Sequence, residues 1–197
     1  MKEVDTLPPY CYPLEGISVD QSKLYSSIIT LLDRLCLDPD DINAKPNFAV
    51  NLTHLPGLTG EEAWRNYSAS HQHLVEQGVN EADFTEHLVV AKDLYVGELV
   101  QAIYQRHRGF QGRCQLVWLG AHNGYNFHND PHTPNRYHVP VITNTDCYWL
   151  FKDHIDVYKL HMPADERVWY LDPINIKHTF HNGSNTSRLH LLLTSAC

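Results

Sequence analysis

Positive charge is in short supply in this chain of 197 residues: 15 Lys and Arg stand against 23 Asp and Glu, a net charge of −8. A nucleic-acid surface needs clustered Lys and Arg to meet phosphates, and no basic run occurs. Long apolar runs are also missing. No stretch approaches the length of a membrane span, and the opening "MKEVDTLPPYCYPLEG" lacks the apolar core of a signal peptide. Cys-x-x-Cys pairs are absent. The five cysteines, Cys11, Cys36, Cys114, Cys147 and Cys197, are odd in number and scattered, which fits reduced thiols rather than a disulfide framework. These absences point to a cytoplasmic protein, and they predict that the sequons at Asn51, Asn66, Asn182 and Asn185 carry no glycan. Repeats, low-complexity tracts and linkers are missing too. A composition that is 43% hydrophobic and 19% charged suits one globular domain over 1–197.

Histidine is the excess, at 14 residues, and it raises metal or proton chemistry as a reading. Residues 1–19 read as irregular. Asp20 reads as an N-cap, and Leu24, Ile28, Leu31, Leu32 and Leu35 follow at helical spacing, so a helix is predicted over 21–36. Residues 47–55 read as a strand. Thr59 and Glu62 make a capping-box pattern that opens a short helix through Trp64 and Tyr67. Residues 68–82 read as loop. Val89, Leu94, Leu99 and Ile103 predict a long helix over 86–106, ended by Gly109.

After residue 110 the texture changes. "RCQLVWLG", "RYHVPVIT", "DCYWLFK", "HIDVYKLHM", "RVWYLD", "NIKHTFH" and "SRLHLLL" are short runs rich in β-branched and aromatic residues. Seven strands without a long helix between them predict an antiparallel sandwich or barrel. "HNGSN" at 181–185 reads as a hairpin turn joining the last two strands. The expected class is α+β: helical support and lid elements over 1–110, laid against a β core over 111–197.

One stretch carries the chemistry. "YNFHNDPHTPNRYHVPV", residues 125–141, holds three His, one Asp and one Arg. His128 and Asp130 are two apart, so on a strand both point to one side. The third ligand would be His178 or His181. Two His and one carboxylate make the set for non-haem Fe(II), with three positions left open. Arg188 lies ten residues after His178 in an apolar strand, where an arginine is costly without an anion. Its fork suits a carboxylate, such as the far end of the co-substrate 2-oxoglutarate. His132 reads as a loop histidine. His122, His154 and His161 read as structural or surface groups, and Trp118, Trp149 and Trp169 as core or pocket wall.

Together these residues resemble the aspartyl/asparaginyl β-hydroxylase-like family of Fe(II)/2-oxoglutarate-dependent oxygenases, which includes cis-proline and other amino-acid hydroxylases. The family pattern is H-x-D, then R-x-H-x-P-x-x-T-N, then H-x-x-x-N with R-x-H-L ten residues beyond the His. The matching residues here are His128 and Asp130; Arg136, His138, Pro140, Thr143 and Asn144; His178 and Asn182; Arg188, His190 and Leu191, over roughly 112–193. The resemblance implies a double-stranded β-helix, a jelly-roll or cupin-like barrel, packed against the N-terminal helices. It implies that His128, Asp130 and His178 hold Fe(II) and that Arg188 clamps the distal carboxylate of 2-oxoglutarate. Arg136 would sit at the mouth of the site, near co-substrate or substrate, and His138 would support either. The spacing to Asn182 and Arg188 selects His178 over His181.

With O2 as the third reactant, the implied product is a hydroxylated small molecule. A free amino acid is the first expectation. An Asp, Asn or Pro residue of a peptide or protein is the alternative. The founding members lack the carboxylate that Asp130 supplies, which makes the chain more similar to the free-amino-acid branch and argues against a halogenase. Two rivals remain: a non-catalytic cupin-like metal-binding protein, and a Zn, Mn or Ni enzyme, which leaves Arg188 unexplained. Neither nucleic acid nor a membrane is an expected partner, and the oligomeric state is open.

Overall fold

The computed structural model describes residues 2–3, 7–8, 10–66, 71–106, 112–130, 135–153 and 156–195. Tyr67, Gly109, His132, His154 and Cys197 lie outside them.

The start of the chain is less irregular than expected. It forms β1 (Lys2–Glu3) and β2 (Cys11–Pro13), each of which covers the edge of a sheet. Helix α1 (Gln21–Arg34) begins where Asp20 places it, with Asp20 Oδ1 accepting the Lys23 N–H at 3.0 Å. Its residues Leu24, Ile28, Leu31 and Leu32 are buried. At about 1.5–3 kcal/mol for each such side chain, this stripe rather than propensity holds the helix. A further turn, α2 (Pro39–Asn43), is capped by Asp38. The expected strand over 47–55 is present as β3 (Asn47–Asn51) and β4 (Thr53–His54).

The capping box at Thr59 is not made. Helix α3 (Gly60–Arg65) follows it, but Gly60 turns the corner at φ +58 and the Thr59 side chain forms no cap bond. Part of the expected loop is the short helix α4 (His71–Glu76) and a 3-10 turn, Glu81–Asp83. The long helix over 86–106 is shortened to α5 (Tyr95–Arg106). Its first third is instead β5 (Glu86–His87), paired with β4, and a 3-10 turn at Val89–Ala91. The Leu88 N–H donates to the Leu52 carbonyl at 2.8 Å, which extends that pairing, and Val89 is 71% exposed. A tertiary partner outweighs the local period here. Gly97 lets α5 approach the turn: a Cβ there would lie 2.2 Å from the Ala91 carbonyl oxygen.

All seven expected strands form. With one two-residue addition they are β6 (Cys114–Leu119), β7 (Asn123–Gly124), β8 (Asn135–Ile142), β9 (Cys147–Asp153), β10 (Asp156–Leu160), β11 (Trp169–Leu171), β12 (Lys177–Asn182) and β13 (Arg188–Ser195). Their pairing is nested: β6 with β13, β7 with β12, β8 with β11, β9 with β10, all antiparallel. That is the winding of a jelly roll. One sheet runs β1-β10-β9-β12-β7 and the other β2-β11-β8-β13-β6-β3.

"HNGSN" is therefore not a hairpin. It carries the chain from β12 in one sheet to β13 in the other. Asn182 ties the turn down: its amide donates to the carbonyls of Leu119, Gly120 and Thr186, and its oxygen accepts the Ser184 N–H. Because Leu119 ends β6, the turn is anchored to the second sheet before β13 begins.

Strand β13 alternates. Leu189, Leu191 and Leu193 join the apolar core with α1 and α5, while Arg188, His190 and Leu192 line a cavity between the sheets. A second apolar cluster fills the rest of the space between the sheets, around Phe151, Met162, Trp169 and Leu171. Arg113 links the two halves of the chain. Its Nε and Nη2 donate to Glu81 Oε2 and Oε1, both at 2.8 Å, and both side chains are buried. Glu81→Ala would leave Arg113 without its buried carboxylate, and a loss of about 3–5 kcal/mol is expected. Urea unfolding checks this; a change under about 0.5 kcal/mol, the range of ordinary surface substitutions, would remove the pair as a structural tie.

No helix among the described residues is long and apolar enough to cross a membrane. Cys11, Cys36, Cys114 and Cys147 are free thiols, and the Asn51 and Asn182 side chains are buried and hydrogen-bonded.

Candidate metal centre

His128 lies in an extended segment that forms an antiparallel bridge with His178 on β12. The His128 N–H donates to the His178 carbonyl at 2.9 Å, and the reverse bond is 2.8 Å. Residues directly opposite across a bridge share a face, and so do residues two apart in an extended chain. His128, His178 and Asp130 are therefore brought to one side. Their ligand atoms lie within 4.8 Å of one another.

The tautomers can be read from the partners. His128 Nδ1 is 2.7 Å from the Asn126 carbonyl, and His178 Nδ1 is 3.0 Å from the Ile176 carbonyl. A carbonyl only accepts, so both Nδ1 atoms carry a proton, and a neutral ring in this tautomer presents its lone pair at Nε2. These lone pairs face a carboxylate. His128 Nε2 is 3.8 Å from Asp130 Oδ1, and His178 Nε2 is 3.7 Å from Asp130 Oδ2. Burial, the largest cause, lowers the His178 pKa to about 4, so the ring is neutral near pH 7. His178 is 1% exposed, and its Nε2 has no hydrogen-bond partner. Two imidazoles and a carboxylate gathered this closely fit a divalent cation.

Arg136, at the start of β8, sits beside this group. Its Nη1 is 2.7 Å from Asp130 Oδ2, without hydrogen-bond alignment. Arg136 thus meets the carboxylate of the cluster itself. His138, two residues on, is fully buried against Trp149 and His190, and neither ring nitrogen has a partner. Burial first, then Arg188 and Arg136, holds it neutral.

Arg188 opens β13 on the opposite sheet and lines the same cavity, of about 1030 Å³. Its Cζ lies 3.4 Å from the centroid of the Phe180 ring, which holds the guanidinium plane. Among the described residues no carboxylate pairs with it, and burial pushes its pKa far down. Buried donors left in this way cost about 1–3 kcal/mol each, so the cavity is built to receive something.

His181, His122 and His161 have other partners. His181 faces Tyr148, His122 bonds Asn185, and His161 bonds the Cys147 carbonyl. Trp118 and Trp149 line the cavity, and Trp169 lies in the second apolar cluster.

Sequence reasoning missed part of the wall. Arg113, just before β6, and Gln115 and Val117 along it alternate, and all three line the cavity. Asn51 donates its amide to the Asn66 carbonyl at 2.5 Å, so its oxygen must accept, and Gln115 Nε2 donates to it at 2.8 Å. The Gln115 amide is thus held in place on the cavity wall. The alternating "RCQLV" was the available signal, but nothing in it told which face would be enclosed.

No known family model matches the chain, and no curated protein matches it in sequence. Solved structures do match it in shape. A 2OG-Fe(II) oxygenase family oxidoreductase from Burkholderia pseudomallei aligns with 93% of this chain and 82% of its own, at TM-score 0.55 and 12% identity. A prolyl-4-hydroxylase from Pseudomonas putida aligns with 96% of this chain and 94% of its own, at TM-score 0.51 and 9% identity. The fold is that of these oxygenase structures. At such identities the likeness is one of fold, and the chemistry must be argued from the site.

Proposed function

We propose that this chain is an Fe(II)- and 2-oxoglutarate-dependent hydroxylase acting on a small molecule, on a double-stranded β-helix core. One observation carries the reading: a 2-His-1-carboxylate cluster and a buried arginine that no carboxylate among the described residues pairs with line one cavity from opposite sheets. The first suits non-haem iron, and the second suits the distal carboxylate of a 2-oxo diacid. His128 and His178 would bind iron through Nε2 and Asp130 through its carboxylate. Bound iron would supply oxygen activation, coupled to decarboxylation of 2-oxoglutarate to succinate and CO2, for hydroxylation of an unactivated C–H.

The chain's own residues do the rest. Arg136 steadies the Asp130 carboxylate from outside the cluster. Phe180, Trp149 and Val117 give the cavity apolar walls that keep water from the reacting centre. The volume is ample for a five-carbon co-substrate with a substrate beside it. A free amino acid is the favoured substrate class, because the Gln115 amide, held by Asn51, gives the cavity wall a polar group for a small polar substrate. A residue in a peptide is the second reading. The family pattern of paired motifs supports the aspartyl/asparaginyl hydroxylase-like branch. The N-terminal 110 residues serve as support and lid within one domain, and the site is open to a soluble metabolite rather than to nucleic acid.

The test is anaerobic. Protein loaded with Fe(II) is given 2-oxoglutarate, and a weak visible charge-transfer band from the chelate is expected. Iron bound in the protein without such a band would overturn the 2-oxoglutarate assignment.

A further inference from the structure

Four polar groups around Arg188 have no role in the metal cluster: His138, Trp149, His190 and the Arg188 Nε–H, all buried and lacking a partner on at least one nitrogen. For His190 the tautomer is determined. Arg188 Nη2 is 2.5 Å from His190 Nδ1. A guanidinium only donates, so Nδ1 accepts and the proton of the neutral ring sits on Nε2. His190 Nε2–H is then a donor with no acceptor. The Trp149 indole N–H is donor-only by chemistry, and it too has no acceptor.

Arg188, His190 and Trp149 thus line one cavity, and each carries a buried donor that has no acceptor: Nε–H, Nε2–H and Nε1–H. Trp149 stands on β9 of one sheet, and Arg188 and His190 on β13 of the other. The Arg188 Cζ lies 5.6 Å from the Trp149 ring centroid. A single group that met all three donors would need more than the two lone pairs of a water, and a carboxylate offers about four lone-pair sites.

We propose that Trp149 and His190 complete, with Arg188, a three-donor cradle for the distal carboxylate of the 2-oxo acid. This rests on the function proposed above and adds to it the two residues that read the second carboxylate. The cradle selects a dicarboxylate over a 2-oxo monoacid of the same length. His190 also keeps the Arg188 fork in place through Nδ1, so its ring serves Arg188 on one side and the ligand on the other.

Two variants separate donation from packing. Trp149→Phe keeps an aromatic ring and removes the N–H. His190→Asn keeps an acceptor where Nδ1 stood and removes the Nε2–H. Affinities for 2-oxoglutarate and for 2-oxopentanoate, which lacks the distal carboxylate, are measured by calorimetry with Mn(II) in place of iron. The wild-type protein is expected to prefer the dicarboxylate by at least about 100-fold. Each variant is expected to narrow that preference about tenfold, the size of one charge-assisted hydrogen bond, while binding 2-oxopentanoate within about twofold of wild type. If wild type prefers the dicarboxylate and both variants do so equally, the cradle falls and the proposed function stands. If both acids weaken together, the residues only pack, and the cradle again falls. If wild type shows no preference at all, cradle and function fall together.

Discussion

His178→Ala loses more than about 100-fold in Fe(II) affinity, while its metal-free form melts no lower than the parent. Both halves follow from one geometry. Second-sphere partners of a metal ligand cost about 10–100-fold when removed, and a ligand itself costs more. Yet in the protein without metal the His178 Nε2 is a buried lone pair with no donor, facing a carboxylate and a second imidazole lone pair. Deleting it removes this unsatisfied atom together with the Nδ1–H bond to the Ile176 carbonyl, two changes that oppose each other and leave folding little to lose. An anaerobic Fe(II) titration and a melting curve on the same preparation measure the two quantities. Unchanged metal affinity would remove His178 from the ligand set. A large fall in metal-free stability would make it a structural residue instead.

Arg188→Met is expected to separate function from stability in the opposite direction. Affinity for 2-oxoglutarate should drop about 100- to 1000-fold, the size of a buried charge pair losing one partner. Fe(II) binding should stay within about threefold, because Arg188 belongs to the other sheet and does not touch the cluster. The unliganded variant should melt higher than the parent. Arg188 is a fully buried charge with no carboxylate beside it among the described residues, and a methionine of similar length removes that penalty. Lysine at 188 should not restore binding, since it lacks the planar fork that stacks on Phe180. A variant that melts lower and still binds 2-oxoglutarate would move the anchor elsewhere.

Strand β6 and strands β8 to β13 were readable because their β-branched and aromatic runs are short and bounded by turn residues; the two residues of β7 carry no such run. Helix α1 was readable because Asp20 and a clean apolar stripe agree. The pairing of His128 with Asp130 followed from period-2 geometry alone. What resisted was everything set by a distant partner. Val89 belongs to a good helical pattern, but Leu88 is drawn to the Leu52 carbonyl instead. Asn-Gly at 182–183 has the chemistry of a hairpin turn, yet Asn182 spends its amide on Leu119 and Gly120, and the chain changes sheet. "SRLHLLL" alternates visibly, but alternation does not say whether the polar face meets water. Here it meets the cavity, and the leucines meet helices. Gln115 and Glu81 were passed over for that reason: their function depends on enclosure, which no local pattern reports.

The crossing at Asn182–Arg188 has a consequence for the lifetime of the protein. It sends His178 and Arg188, only ten residues apart, to two different sheets, which the second apolar cluster packs together alongside the cavity. A ligand holding iron at one end and Arg188 at the other would fasten the sheets where the protein itself leaves them apart. Its occupancy enters the unfolding equilibrium directly, adding about 2.7 kcal/mol at a hundredfold excess over Kd. Resistance to proteolysis would then rise and fall with the supply of a small diacid, and the amount of the protein would follow its nourishment as well as its synthesis.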